Sequence, residues 1–384
     1  MGHRTMPLSA TRPGPAGRLH GIDFWRGFIL CTIFVNHVPG TIFEGMTFKN
    51  FGFSDASEAF VLIAGLSLAL AYGRRAAAGE HAAIIVGLAR RAVKLYGAHI
   101  GLSLAGVSIF ALGADLTENA DLMQVHGREL VGDDPAAAVL GLVSLGHQFG
   151  YFNILPMYVV LMGLAPAMLL VAFRQPLAML AASFGVYALS RLTVFNVPTW
   201  PMSGAWFFDP FAWQFLMAVG IVIGLQVRRD GLVLRRPLVF LAVAIVAGSA
   251  VLATDGLGAW PGLGGAVRPF LDLDKTMLGL GRMVHSLSLA CCVYSLGVAK
   301  LLQGAWLYKP LCLIGQNGLT MFGLASLLSV IGQVLAQTYG HPPLMDAGII
   351  LGGLAMMVGA SRFMIYWAVR LDRRLTSVSK PKLS

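Results

Sequence analysis

The stretch "DFWRGFILCTIFVNHVPG", Asp23 to Gly40, is apolar enough to cross a bilayer, yet it carries an aspartate and an arginine at one end and a histidine near the other. Ionisable groups inside a membrane span are costly, and where they occur they face a bundle interior or a water-filled cavity and mark a substrate or proton path. At 100° and about 1.5 Å per residue, Arg26 and His37 fall within roughly 20° of one helix face and about 16 Å apart along its axis. Asp23 falls within about 60° of Arg26, so the three groups form one polar stripe. Two readings compete. Asp23 and Arg26 are an interfacial pair with His37 a buried hydrogen-bonding ring, or all three line one continuous path. The shared stripe favours the second.

The rest of the chain fits a membrane setting. Of 384 residues, 57% are hydrophobic and 12% charged, with mean hydropathy +0.72, whereas about a quarter of the residues of a soluble domain are charged. The composition predicts an all-α, polytopic integral membrane protein. About ten runs are long enough to span, each needing roughly 17 to 25 residues: approximately 22 to 40, 54 to 73, 90 to 113, 152 to 173, 177 to 195, 211 to 227, 237 to 254, 281 to 302, 311 to 336 and 344 to 368. Arg74, Arg75, Arg90, Arg91, Lys94, Arg174, Arg228, Arg229, Arg235, Arg236, Lys300 and Lys309 fall on alternate connections. Asp115, Glu118, Asp121, Glu129, Asp133, Asp134, Asp255, Asp272 and Asp274 fall on the others. The positive-inside rule then places both termini in the cytoplasm. Residues 1–20 and 371–384 read as basic cytoplasmic tails around a membrane domain of residues 21–370. Arg4, Arg12 and Arg18 accompany no apolar run in the first of them, which argues against a cleavable signal peptide.

The net charge of +10 reads as cytoplasmic anchoring to anionic lipid, and no basic patch interleaved with aromatics suggests nucleic acid. Cys31, Cys291, Cys292 and Cys312 lie in apolar runs without zinc or disulfide spacing, and no metal constellation appears. Gly97 with Gly101, and Gly348 with Gly352, read as close helix packing.

The second span opens with "FGFSDASEAFVLIAG". Ser54 or Asp55 followed by Glu58 is a capping-box pattern. This helix begins outside, a short loop after His37, so either carboxylate can approach that ring. A carboxylate accepting one imidazole N–H fixes the tautomer and frees the other nitrogen as a base, which predicts a dyad of His37 with Asp55 or Glu58.

"DFWRGFILCTIFVNHVPG", "GFSDASEAFVLIAGLSLALAYGRR", "RAVKLYGAHI", "NILPMYVVLMGLAP", "WFFDPFAWQFLMAVG", "DKTMLGLGRMVHSLSLA" and "GQNGLTMFGLASLLS" together resemble the ordered signatures of the OpgC family, membrane proteins associated with succinylation of osmoregulated periplasmic glucans. Arg26, ten intervening residues and His37 are similar to the first-helix motif of the wider acyltransferase-3 superfamily. The resemblance implies a cytoplasmic acyl-CoA donor, with a succinyl group as the family's associated acyl unit, and a glycan hydroxyl in the periplasm as acceptor. It also implies His37 as the catalytic group and a bacterial inner-membrane location.

Physical reasoning supports the same division of labour. Coenzyme A carries several phosphates that will not cross hydrocarbon, so its head must stay inside while the thioester arm reaches the outer half. Asp23 and Arg26, with Arg74, Arg75, Arg90, Arg91 and Lys94, are the candidate donor site, guanidinium forks being suited to phosphate; ordinary positive-inside anchoring is the plainer reading of any one of them. His99, Asp209, Trp213, Gln214, Arg282 and His285 are candidate substrate contacts, weighed against core packing, an interfacial tryptophan belt and, for Arg282 and His285, packing on the acidic loop of Asp272 and Asp274. His147 and Gln148 read as polar lining. The expected function is acyl transfer with His37 as general base. No permanently bound cofactor is expected, and the partners expected are acyl-CoA, a periplasmic glycan and the lipid bilayer. The competing classes are a transporter or flippase using the same stripe, and a glycan binder that transfers nothing.

Overall fold

The computed structural model describes residues 20–256 and 258–378. Residues 1–19 and 379–384 of the expected tails lie outside these residues, and residues 371–378, expected as tail, continue the last helix. Among the described residues the regular structure is helical, apart from one isolated bridge between Pro198 and Ala205. Ten long helices carry the fold: α1 (His20–Asn36), α2 (Ala56–Ala77), α3 (His81–Thr117), α4 (Ile154–Arg174), α5 (Pro176–Thr193), α6 (Pro210–Arg229), α7 (Arg236–Ala253), α8 (Leu280–Ser295), α9 (Gly318–Tyr339) and α10 (Pro343–Val378). Among the described residues, seven helices are long and apolar enough to cross a membrane: α2, α3, α4, α6, α7, α9 and α10. Helices α1, α5 and α8 occupy the other three expected runs but fall short of that length or apolarity.

Several boundaries differ from expectation: α8 stops at Ser295 and α10 runs on to Val378, and two further differences have a local cause. Helix α3 starts at His81, well before the apolar run at residue 90, and its 37 residues extend about 55 Å, longer than a hydrocarbon core of about 30 Å. The segment before residue 90 is rich in alanine and isoleucine and lacks a breaker, so nothing stops the helix short of the tight Ala78–Glu80 turn. The run expected over 311 to 336 is broken. A short helix, Tyr308–Gln316, ends at Asn317 (φ −108°, ψ 37°), where α9 begins. Asn317 turns its side-chain amide back onto the Leu313 carbonyl at 3.1 Å, competing with the helical ladder in the manner of short polar side chains.

The four glycines read as packing positions, Gly97, Gly101, Gly348 and Gly352, face open space; a Cβ at any of them would meet nothing within 4 Å. The close approaches lie elsewhere. A Cβ on Gly27 would sit 1.9 Å from the Leu311 carbonyl oxygen, and one on Gly315 would sit 1.9 Å from that of Asp23. Gly65 of α2 and Gly220 of α6 meet backbone in the same way, at 2.2 Å from the Met217 oxygen and 2.3 Å from the Leu62 oxygen. Spacing alone cannot distinguish a glycine that faces a partner helix from one that faces lipid. Because backbone rather than a movable side chain blocks each site, Gly220→Leu is expected to separate α2 from α6 and cost about 1–3 kcal/mol or more. Gly348→Leu is expected to cost little. Thermal unfolding of the two variants in detergent checks this, and equal midpoints would refute the assignment.

The main hydrophobic core joins α1 (Leu30, Phe34), α2 (Leu68), α4 (Met157, Leu161), α6 (Trp213, Leu216) and α9 (Met321, Phe322). Helix α7 buries only Ala242 and Ser249 and so lies at the periphery. The polar stripe of α1 thus runs through the middle of the bundle, with α2, α9 and Tyr308–Gln316 as its neighbours.

Candidate active site

His37 stands in the first turn after α1, its amide still bonded to the Ile33 carbonyl at 3.0 Å. The chain then leaves the helix through Pro39, which cannot continue it, and Gly40 at φ +89°. Gln333 of α9 donates its side-chain amide to the His37 carbonyl at 2.7 Å, which pins the backbone and leaves the ring free. Ser326, Ser329 and Gln333 recur at helical spacing and face the same cavity. The imidazole packs on the Tyr151 ring, centroids 4.6 Å apart, and among the described residues neither of its nitrogens makes a hydrogen bond. Arg128, Phe110, Phe149 and Phe152 complete the wall.

Arg128 reaches this cavity from the connection between α3 and α4 by way of a turn. His126 and Gly127 both adopt positive φ, +61° and +81°, and the ring of His147 bonds the Gly127 carbonyl at 2.8 Å. Burial holds His147 below its usual imidazole range, against the opposite pull of that bond. A Cβ at Gly127 would press on the His147 ring at 2.9 Å, so the turn requires glycine. Arg128 then points inward, its Nε bonded to the Leu122 carbonyl at 2.7 Å and its guanidinium 3.7 Å from the Phe110 ring centroid. Its Nη2 is buried without a hydrogen-bond partner. Sequence reasoning overlooked Arg128, Tyr151 and Gln333. A lone arginine in an otherwise acidic connection was the one available signal.

The expected dyad is not formed. Asp55 caps α2, accepting the Ser57 amide at 2.8 Å, and Glu58 accepts the Asp55 amide at 2.9 Å, so the capping box is present. The remaining carboxylate oxygens are taken by cations. Lys275 Nζ lies 2.5 Å from Asp55, and Arg282 lies 2.6 Å from Glu58 and 3.3 Å from Asp55. Two carboxylates and two cations thus make a balanced brace between the start of α2 and the chain entering α8. Asp55 reaches His37 only through its field, alongside Lys275 and Lys49. His285 belongs to the same corner, its Nδ1 2.7 Å from the Ser54 hydroxyl, and the acidic-loop residue Asp272 is held instead by Arg191 at 2.7 and 2.8 Å.

Asp209, Trp213 and Gln214 are also corrected. All three are buried, which removes them from reach of a sugar. Asp209 caps α6 through the amides of Phe211 and Ala212 and bonds Ser190. Trp213 donates to the Lys275 and Thr276 carbonyls, at 3.2 and 3.1 Å. Gln214 is exchanged with Ser183, at 2.5 and 2.8 Å. Their work is to fix α6 against α5 and to hold the segment that carries Lys275.

At the other end of α1, Arg26 bonds Ser67 at 2.7 Å and the Gly315 carbonyl at 3.0 Å, with Asp23 at 3.4 Å. The Gly27–Gly315 approach is what brings that carbonyl within reach. Arg74 and Arg75 are exposed at the end of α2, and Arg90, Arg91 and Lys94 are exposed farther along α3, in its third and fourth turns; Arg75 lies 3.8 Å from Glu80. Arg91 and Arg26 both act on the Tyr158 hydroxyl. Among the described residues, that hydroxyl, both ring nitrogens of His99 and the hydroxyl of Ser103 are buried without hydrogen-bond partners. Gly106 of α3 abuts Phe152, and α3 and α4 run antiparallel, so His99, Ser103 and Tyr158 occupy neighbouring layers between the inner arginines and His37.

An all-α membrane bundle with a histidine at one end of a polar stripe is the class that fold and site define. The family model described as OpgC protein matches residues 18–368, and the chain belongs to that family. The family is associated with glucan succinyltransferase activity, which makes a glucan-modifying transferase the broad functional class. No curated protein and no solved structure matches the chain.

Proposed function

We propose that the chain is a multi-pass enzyme of the bacterial inner membrane, both termini cytoplasmic, which transfers an acyl group, in the first place succinyl, from cytoplasmic acyl-CoA to a hydroxyl of a periplasmic glycan. The observation that supports this most is the His37 ring: among the described residues it stands free of hydrogen bonds in a small, mainly apolar cavity that Arg128, Ser326, Ser329 and Gln333 also line, while its backbone is pinned by Gln333. A neutral imidazole in that state accepts the acceptor's hydroxyl proton, the oxygen attacks the thioester carbonyl, the carbon–sulfur bond breaks, and the departing thiolate is protonated. The column of His99, Ser103 and Tyr158 supports a route for the donor's amide-bearing arm, since buried polar atoms that lack partners are costly unless something bonds them. Release of free thiol from acyl-CoA by the purified chain, dependent on an oligoglucoside acceptor, is the decisive experiment. A transporter or a mere glycan binder releases none.

The inner arginines would then hold the donor's phosphates. Lysine preserves anchoring charge but not the bidentate fork. Replacing Arg74 with Arg75, or Arg90 with Arg91, by lysine is expected to raise the apparent KM for acyl-CoA about tenfold or more at one pair at least, since a charge-assisted contact contributes about 1.5–3 kcal/mol. Titrations indistinguishable from the parent for every variant would leave these residues as anchors only.

A further inference from the structure

Arg128 stands apart from the other buried and half-buried cations of this region, Arg268 being exposed. Arg282 is paired with Asp55 and Glu58, Arg191 with Asp272, Lys275 with Asp55 and Lys49 with Glu44. Arg128 is only 2% exposed, and among the described residues it has no carboxylate within ion-pairing distance. Its neighbour Glu129 acts on it electrostatically without making an ion-pair contact, and among the described residues a buried Glu129 oxygen has no hydrogen-bond partner. A cation taken out of water without a counter-ion costs several kcal/mol, and the ring face of Phe110 recovers only part of that. The Nη2 group left unbonded belongs to a side chain that lines the same cavity as His37.

We infer that Arg128 binds the distal carboxylate of a dicarboxylic acyl group and so selects acyl donors that end in a negative charge. The inference rests on the acyl-transfer reading above and names the specificity residue of that same site. A full buried charge without a counter-ion calls for a full charge present in the bound substrate. A transient oxyanion would be served by backbone amides, which carry no burial cost of this kind. Arg282 is unsuited to the task because two carboxylates already neutralise it. The space now enclosed beside His37 is about 10 Å³, room for about one water molecule, so an acyl group requires the side chains that line it to shift.

The test compares succinyl-CoA with succinamoyl-CoA, the same chain ending in a neutral amide, as donors to an oligoglucoside. The full chain is used in lipid nanodiscs. The parent is expected to prefer the charged donor in kcat/KM by about 10- to 150-fold. Arg128→Gln should bring that ratio to within about threefold of unity, and Arg128→Lys should retain part of the preference. A parent ratio near one overturns the inference even if Arg128→Gln fails to fold. So does an Arg128→Gln variant that loses both donors equally, which would mean a general electrostatic or structural role. In either case transfer itself persists in the parent and the proposed function stands. A parent that transfers from neither donor instead brings down both readings.

Discussion

Replacing His37 with alanine is expected to lower acyl transfer by about 10²- to 10⁴-fold, the usual contribution of a general base, with little change in folded yield or melting temperature. The structure separates the two effects. Gln333 holds the His37 carbonyl and the helix-ending amide bond runs to Ile33, so the ring can go while the end of α1 stays anchored. Binding of acyl-CoA at the inner face should also survive, because Arg26 and the exposed arginines lie about three helical turns away on α1 and beyond. Turnover within a few-fold of the parent would remove His37 from the chemistry. Loss of fold together with activity would return it to a packing role.

The second large effect concerns the brace. Arg282→Met leaves Asp55 and Glu58 facing Lys275 alone, and the Glu58 side chain has no exposure to solvent. Breaking one side of a buried ion pair typically costs about 3–5 kcal/mol because the surviving charge is left uncompensated. Arg282→Met is therefore expected to lower the unfolding midpoint by many degrees, and Glu58→Gln by a comparable amount. The double variant restores the charge balance of Asp55 with Lys275 and should recover much of the loss, since replacing both members of a buried pair is far less costly than replacing one. The recovered protein should also transfer acyl groups, which a His37–Glu58 dyad would forbid. Additive losses in the double-mutant cycle would show that the four charges do not act as a unit, and a stable but inactive double variant would revive the dyad.

Two features of the chain are local enough to be legible from residue order: hydropathy, which sets the membrane class and most of the span positions, and the polar stripe from Asp23 through Arg26 to His37. The capping box at Asp55 and Glu58 is also local, because a helix start must satisfy its own amides within a few residues. What needed the tertiary structure was partnership between distant segments. Whether Glu58 meets His37 or Arg282 depends on where α8 docks, more than 220 residues along the chain, and the choice went to the arginine because a buried carboxylate gains more from a cation than from a neutral ring. Asp209, Trp213 and Gln214 read as substrate contacts or part of an interfacial tryptophan belt and are enclosed by α5 and the Lys275 segment. Gly27, Gly65, Gly220 and Gly315 matter, and Gly97 and Gly348 do not, because only three-dimensional packing decides which face of a helix meets another backbone. Arg128 was hidden for the same reason: its turn is stabilised by His147, and its approach to His37 exists only once α1, α3, α4 and α9 have closed around one cavity.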